Sequence, residues 1–205
     1  MGHPGSGCAP ASQTPASRRS EASSHLSYTR TSSDGPGCAD RTLTAVEPRG
    51  CSALQGEDEP SQVVLEGREP DGTTWSVDVR PDPTCDDGLY SFVRRTSVAG
   101  RSARSGMGGP KLYGDDVVNV WAGRSDGTPP FILIRGVPSI EEATVLTSGG
   151  KTLQITLSPE IEEFGLRFGA APLPEDDPPE ILTVRLGDGR VIQGRVPWPR
   201  RPPTP

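Results

Sequence analysis

Carboxylates are the side chains in this sequence whose type and spacing could do chemistry. Asp82, Asp86 and Asp87 crowd one turn, and Glu175-Asp176-Asp177 sit between prolines. Tyr113-Gly114-Asp115-Asp116, followed by Val117-Val118, matches the hairpin motif of RNA-dependent polymerases, whose paired aspartates hold Mg²⁺. Hard oxygen ligands grouped in this way suit divalent cations, so Asp82, Asp86, Asp87, Asp115 and Asp116 are the candidate metal ligands. The surroundings argue the other way. A polymerase palm with fingers and thumb needs a far longer chain than 205 residues. The EF-hand register is missing from both acidic turns. Short polar side chains next to glycine also satisfy backbone donors locally, which makes solvated turns the simpler reading.

Histidine decides more by its position than by its presence. His3 and His25 both fall in the first 60 residues, so the part expected to fold has no imidazole. Ser-His-Asp and Cys-His nucleophilic machinery each need a rigidly held imidazole, as do most zinc sites. Cys8, Cys38, Cys51 and Cys85 show no C-x-x-C spacing, so a zinc framework is not expected. Free thiols are the default without a signal peptide, and a Cys51–Cys85 bridge is the alternative in an exported protein. No cofactor is expected. Trp198, flanked by prolines and followed by Arg200 and Arg201, is a candidate anchor for a partner, with packing on its own sheet as the competing reading.

Composition sets the frame for these residues. Gly 25 and Pro 23 in 205 residues, with 32% hydrophobic content, leave enough apolar side chains for one modest core. A net charge of −6 argues against a nucleic-acid binder, because phosphate neutralisation needs surplus Lys and Arg. No run of about 18 apolar residues exists, so no spanning helix is expected, and the cytoplasm is the default compartment. A protein partner stays open as a class, and the sequence assigns no oligomeric state.

Residues 1–60 are rich in Ser, Pro and Gly and show neither the 2.0 nor the 3.6 period, which predicts a disordered tail. Order is expected over 61–196. Trp75, Val77 and Val79 alternate with Ser76, Asp78 and Arg80, as a half-buried strand does. Residues 96–110 are Gly, Ser and Arg with little apolar content, which predicts a long mobile loop. Phe131-Ile132-Leu133-Ile134 predicts a central strand covered on both faces. Around Gly149-Gly150, Ala143 and Val145 precede Leu153, Ile155 and Leu157 in alternation, a hairpin signal, and Phe164, Leu166 and Phe168 extend it to a meander with one buried face. Ser139-Ile140-Glu141-Glu142 fits a helix capping box, but the β-branched residues after it favour a strand. Ile181–Leu186 and Val191–Val196 form a last hairpin around Asp188-Gly189, and 197–205 is a proline-rich tail.

The order of a Trp-bearing strand, a Cys-Asp-Asp-Gly turn, a Gly-rich loop, Gly136-Val137-Pro138 and a Gly-Gly hairpin resembles a loose group of small, uncharacterised β-rich proteins of actinobacterial genomes. The matching stretches span roughly residues 60–195. The resemblance implies a second cysteine in the Gly-rich loop of some members, where this chain has Ser105-Gly106-Met107-Gly108, and it implies no activity. The sequence therefore predicts an all-β, antiparallel β-sandwich of about 8–10 short strands. Its expected role is a non-catalytic binding or interaction module, acting through sheet edges or the 96–110 loop. The alternative is a metal-dependent hydrolase built on the clustered carboxylates.

Overall fold

The computed structural model describes residues 26–27, 60–82, 87–112, 116–124 and 129–198. The cysteines, both histidines, Asp86, Asp115, Arg200, Arg201 and the 197–205 tail beyond Trp198 lie outside them, as does most of the tail expected over 1–60. Within that tail Leu26–Ser27 (β1) is described, as a two-residue strand. The described residues are all-β and antiparallel, with no helix.

Three sheets stack into three layers. The first outer sheet is a meander of consecutive strands, Gln62–Arg68 (β2), Thr74–Asp82 (β3), Gly88–Thr96 (β4) and Ser102–Met107 (β5). The central sheet uses Val118–Gly123 (β6), Phe131–Gly136 (β7), Thr156–Ile161 (β10) and Leu166–Pro172 (β11), in the order β1-β6-β7-β11-β10. The second outer sheet holds Ile140–Thr147 (β8), Thr152–Gln154 (β9), Pro179–Leu186 (β12) and Val191–Arg195 (β13), in the order β13-β12-β8-β9. No helix among the described residues is long and apolar enough to cross a membrane.

The apolar run in β7 explains the third layer. Successive side chains of a strand point to opposite faces. Phe131 and Leu133 enter one core with Trp75, Val77, Val79, Leu89 and Val93 of the meander. Ile132 and Ile134 enter the other with Ile140, Ala143, Val145, Leu182 and Val184. A strand buried on both faces needs a sheet on each side, and four consecutive large apolar residues encode that. The sandwich expected from the sequence is present and carries one sheet more.

Three local readings are corrected. The hairpin at Gly149-Gly150 forms between β8 and β9, with Gly150 at φ +79° in the left-handed region that glycine adopts freely. It does not continue as a one-sheet meander. The run from Thr152 to Ile161 splits at Ile155, whose N–H donates to the Ala143 carbonyl at 2.9 Å, and the chain passes from the outer sheet into the central one. Period-2 alternation is unbroken across that residue, so it carries no sign of the switch. The expectation of one buried face also fails for β11, where Phe168 and Ala170 join the aromatic core and Ala171 the aliphatic one. Finally, the loop expected over 96–110 contains a strand, β5, paired with β4 from Ser91↔Met107 to Thr96↔Ser102. Pairing with an apolar neighbour makes a strand of a segment whose own propensity is poor.

Candidate functional site

The sequence-derived metal candidates are only partly brought together. Asp82 is 3% exposed at the end of β3, and Asp116 is 4% exposed just before β6. Asp87 is exposed, and its Oδ1 lies 2.9 Å from Lys111 Nζ. Asp82 and Asp87 line an open depression of about 230 Å³ together with Lys111, Glu163 and Phe164. The lysine occupies the electrostatic place a cation would take. Among the described residues no three His, Cys, Asp or Glu side chains group as a metal site would require. Trp198 is partly buried against the aliphatic core.

Acidic turns elsewhere act on the backbone. Asp177 accepts from Thr147 Oγ1 at 2.7 Å, Ser148 Oγ at 3.1 Å and the Gly149 N–H at 2.6 Å, clamping the β8–β9 turn. The Thr147 hydroxyl first, then the Gly149 amide, hold its carboxyl below the usual carboxylate range. Asp71 does the same for the Thr73 N–H at 2.9 Å, and Asp188 for the Arg190 N–H at 3.0 Å. Their pKa values are lowered by those bonds.

The densest polar arrangement is on the outer face of the β2–β5 meander, which the sequence analysis did not single out as a site. Trp75, Val77 and Val79 face the core, so Ser76, Asp78 and Arg80 face outward. In the register of β3 with β4 these stand opposite Arg94, Phe92 and Tyr90. Asp78 is fully buried, accepts from Ser76 Oγ at 2.8 Å and is ion-paired to Arg94. Arg80 lies over the Tyr90 ring at 5.1 Å and Arg104 over Phe92 at 5.2 Å. Each guanidinium thereby covers an aromatic face that would otherwise meet water. At one end of this face an open depression of about 480 Å³ is lined by Glu66, Arg68, Thr74, Ser76, Arg94 and Thr96, with Trp75 and Gly67 also on its wall. The signal was present in the sequence as the polar half of the β3 alternation, but its meaning depends on the register with β4.

Beside that face runs the edge of the sheet. β5 ends the order β2-β3-β4-β5, and no described strand pairs with its outer side. The Ser97 N–H donates to the Arg101 carbonyl at 2.9 Å, and the Leu89 N–H to the Gly109 carbonyl at 2.8 Å. Hydrogen-bonded pairs alternate in an antiparallel ladder, so Ala103, Ser105 and Met107 bond to β4. Ser102, Arg104 and Gly106 then turn their N–H and C=O groups away from the sheet. The same reasoning applied to β13, from the Leu186 N–H to the Arg190 carbonyl at 2.9 Å, turns Val191, Gln193 and Arg195 outward.

Fold and site together define an all-β protein of three sheets in which, among the described residues, β5 and β13 are end strands with outward main-chain groups, beside a face of arginines stacked on aromatic rings. Compared with protein-family models, curated proteins and solved structures, the chain matches none.

Proposed function

We propose that this protein is a non-catalytic binding module that works through its open sheet edges, with β5 as the principal one. The supporting observation is the outward row of main-chain groups at Ser102, Arg104 and Gly106. Proteins blunt such edges with proline, bulges or very short strands. β10 has Pro159 and a register shift between Leu157 and Glu160, β2 has a shift between Val63 and Leu65, and β9 is three residues long. β5 has no proline and no register shift over its six residues, and its charged edge residue is the exposed Arg104. An extended partner that adds a strand gains main-chain hydrogen bonds along the row, and its alternate side chains read the neighbouring face.

The test uses the outward orientation itself. Proline at position 104 or 193 removes an N–H that points to solvent and leaves the β4–β5 or β12–β13 ladder intact. Peptides selected on the full-length protein should lose at least tenfold in affinity with Arg104→Pro, and some with Gln193→Pro. Selected peptides indifferent to both variants would overturn the reading. The competing metal-dependent hydrolase draws on two buried carboxylates, Asp82 and Asp116. A stoichiometric Mn²⁺ site tighter than about 100 µM, roughly 5–6 kcal/mol, that is lost in Asp116→Asn would favour it.

A further inference from the structure

β13 is the end strand of the sheet ordered β13-β12-β8-β9, and no described strand lies on its outer side. Its pairing with β12 runs from Arg195 to Val191 without a register shift, and it contains no proline. Both ends of that ladder fix which main-chain groups are left over. The Leu186 N–H donates to the Arg190 carbonyl at 2.9 Å, and the Val196 N–H donates to the Glu180 carbonyl at 2.8 Å. Ile192 and Gly194 therefore bond to β12, while Val191, Gln193 and Arg195 turn their N–H and C=O groups outward. The side chains alternate as well. Val191, Gln193 and Arg195 are exposed on the outer face, whereas Ile192 lies half-buried against the aliphatic core with Gly194 beside it. Val191 is 57% exposed, one of three large apolar side chains so open among the described residues.

Resting on the edge-binding reading above, we infer that β13 pairs with β13 of a second copy of this chain, antiparallel about a twofold axis at Gln193. That register sets Gln193 opposite the second copy's Gln193, Val191 opposite its Arg195, and Ile192 opposite its Gly194. Each outward position exchanges a pair of N–H to C=O bonds, so the whole left-over row is satisfied at once. The side chains fit the same register. A residue on a twofold axis meets itself, which suits a group that both donates and accepts. The Gln193 amide is such a group, and its Nε2 is already placed by the Thr183 hydroxyl at 3.1 Å. Arg195 faces no cation directly across the ladder, and its methylene stem covers the exposed Val191. On the inner side, residues that are not hydrogen-bonded face each other with Cα atoms about 4.5 Å apart. The missing side chain at Gly194 makes room there for the second copy's Ile192, whose open flank is taken out of water. A foreign peptide can fill the main-chain row but meets these side-chain conditions only by coincidence of sequence, whereas a second copy meets them by symmetry. Two four-stranded sheets become one continuous sheet, and the β5 edge of each copy is left to the extended partner proposed above.

A five-residue ladder buries little area, so the dimer should be weak, with a Kd of about 10–1,000 µM. Sedimentation velocity of the full chain across that range should show monomer giving way to dimer. Gln193→Pro should stay monomeric, while Arg104→Pro should associate as the wild type does. Charge at position 191 gives a test that does not depend on proline being tolerated. Val191→Glu meets Arg195 twice across the axis and should tighten association about fivefold, and Val191→Lys should weaken it by a similar factor. Amide exchange locates the contact. Protection of Val191, Gln193 and Arg195 should grow with protein concentration, and that of Ser102, Arg104 and Gly106 should not. A dimer protected at β5 instead, or one indifferent to the charge at position 191, would overturn the inference. So would a protein that is monomeric throughout the range. If that monomer still binds selected peptides in a manner lost with Arg104→Pro, the edge-binding reading stands; if it binds none, both fall.

Discussion

The two faces of β7 bury different chemistry. Ile132 and Ile134 enter a core whose buried members are all Val, Ala, Ile and Leu. Phe131 and Leu133 enter one that holds Trp75, Trp121, Phe164, Phe168 and Met107. Buried charge follows the same division. Asp78, Arg80, Asp82, Arg95, Asp116 and Arg135 all lie in β3, β4 or β7 or just before β6, and none lies in β8 to β13. Arg135 is 1% exposed, and its Nη1 donates to the Leu89 carbonyl at 2.9 Å. Arg95 lies over Phe131 at 5.8 Å and donates through Nε to Glu69 at 2.8 Å. Burying a guanidinium is tolerable only where acceptors and ring faces meet it. The aliphatic half is a dry frame. The aromatic half is where this fold carries charge up to its surface and to the β5 edge.

That contrast can be broken by mutation. Phe131→Ala should cost about 3–5 kcal/mol and Leu182→Ala, on the far core, about 2–5 kcal/mol in urea unfolding. If the central sheet separates two independent cores, the double variant should equal the sum within about 0.5 kcal/mol. A coupling above about 1 kcal/mol would merge them into one.

Overpacking sharpens the aliphatic side. A Cβ on Gly169 would sit 2.7 Å from Leu157 Cδ2, 2.9 Å from Ile134 Cγ1 and 3.0 Å from Ile155 Cγ2. Gly169→Ala should therefore destabilise by about 1–3 kcal/mol in chemical denaturation. A neutral result would mean that this core yields more than a dry aliphatic interior should.

The smallest expected effect is electrostatic and lies at the rim of the frame. The Asp177 carboxyl titrates below its ordinary value in the fold because Thr147, Gly149 and Ser148 donate to it. A lowered folded value stabilises above the unfolded pKa, and the contribution is lost as pH falls through the folded one. In thermal melts the gap between wild type and Asp177→Asn should be widest near neutral pH and close as pH falls below the ordinary carboxylate range, through the lowered folded value. A gap independent of pH would assign the clamp to shape and not to charge.

Periodicity made much of this fold legible. The alternation at Trp75 to Arg80 and the unbroken run at Phe131 to Ile134 gave facing and burial correctly, because both depend only on which residues avoid water. Sheet membership does not. Ile155 keeps the alternation while its neighbours belong to different sheets, and Ser102 to Met107 become a strand through β4 and not through their own composition. The candidate site suffered from the same gap. The cationic content of 88–112 is visible in the letters, but only the folded chain brings Asp78 to Arg94 and Glu69 to Arg95.

The order of strands along the chain has a further consequence, for the protein during its synthesis. The β2–β5 meander is continuous in sequence, from Gln62 to Met107, whereas the central sheet that covers it is completed only with β11, which ends at Pro172. At ribosomal rates of about 5–20 residues per second, the 65 residues separating Met107 from Pro172 take on the order of 3–13 seconds to emerge. For that interval the apolar side with Trp75, Val77, Val79, Leu89 and Val93 has no cover, and it is the part of the nascent chain most exposed to self-association. A slower translating host should therefore raise the demand for chaperones through this sheet, and the aliphatic half, whose strands appear last, should hardly register it.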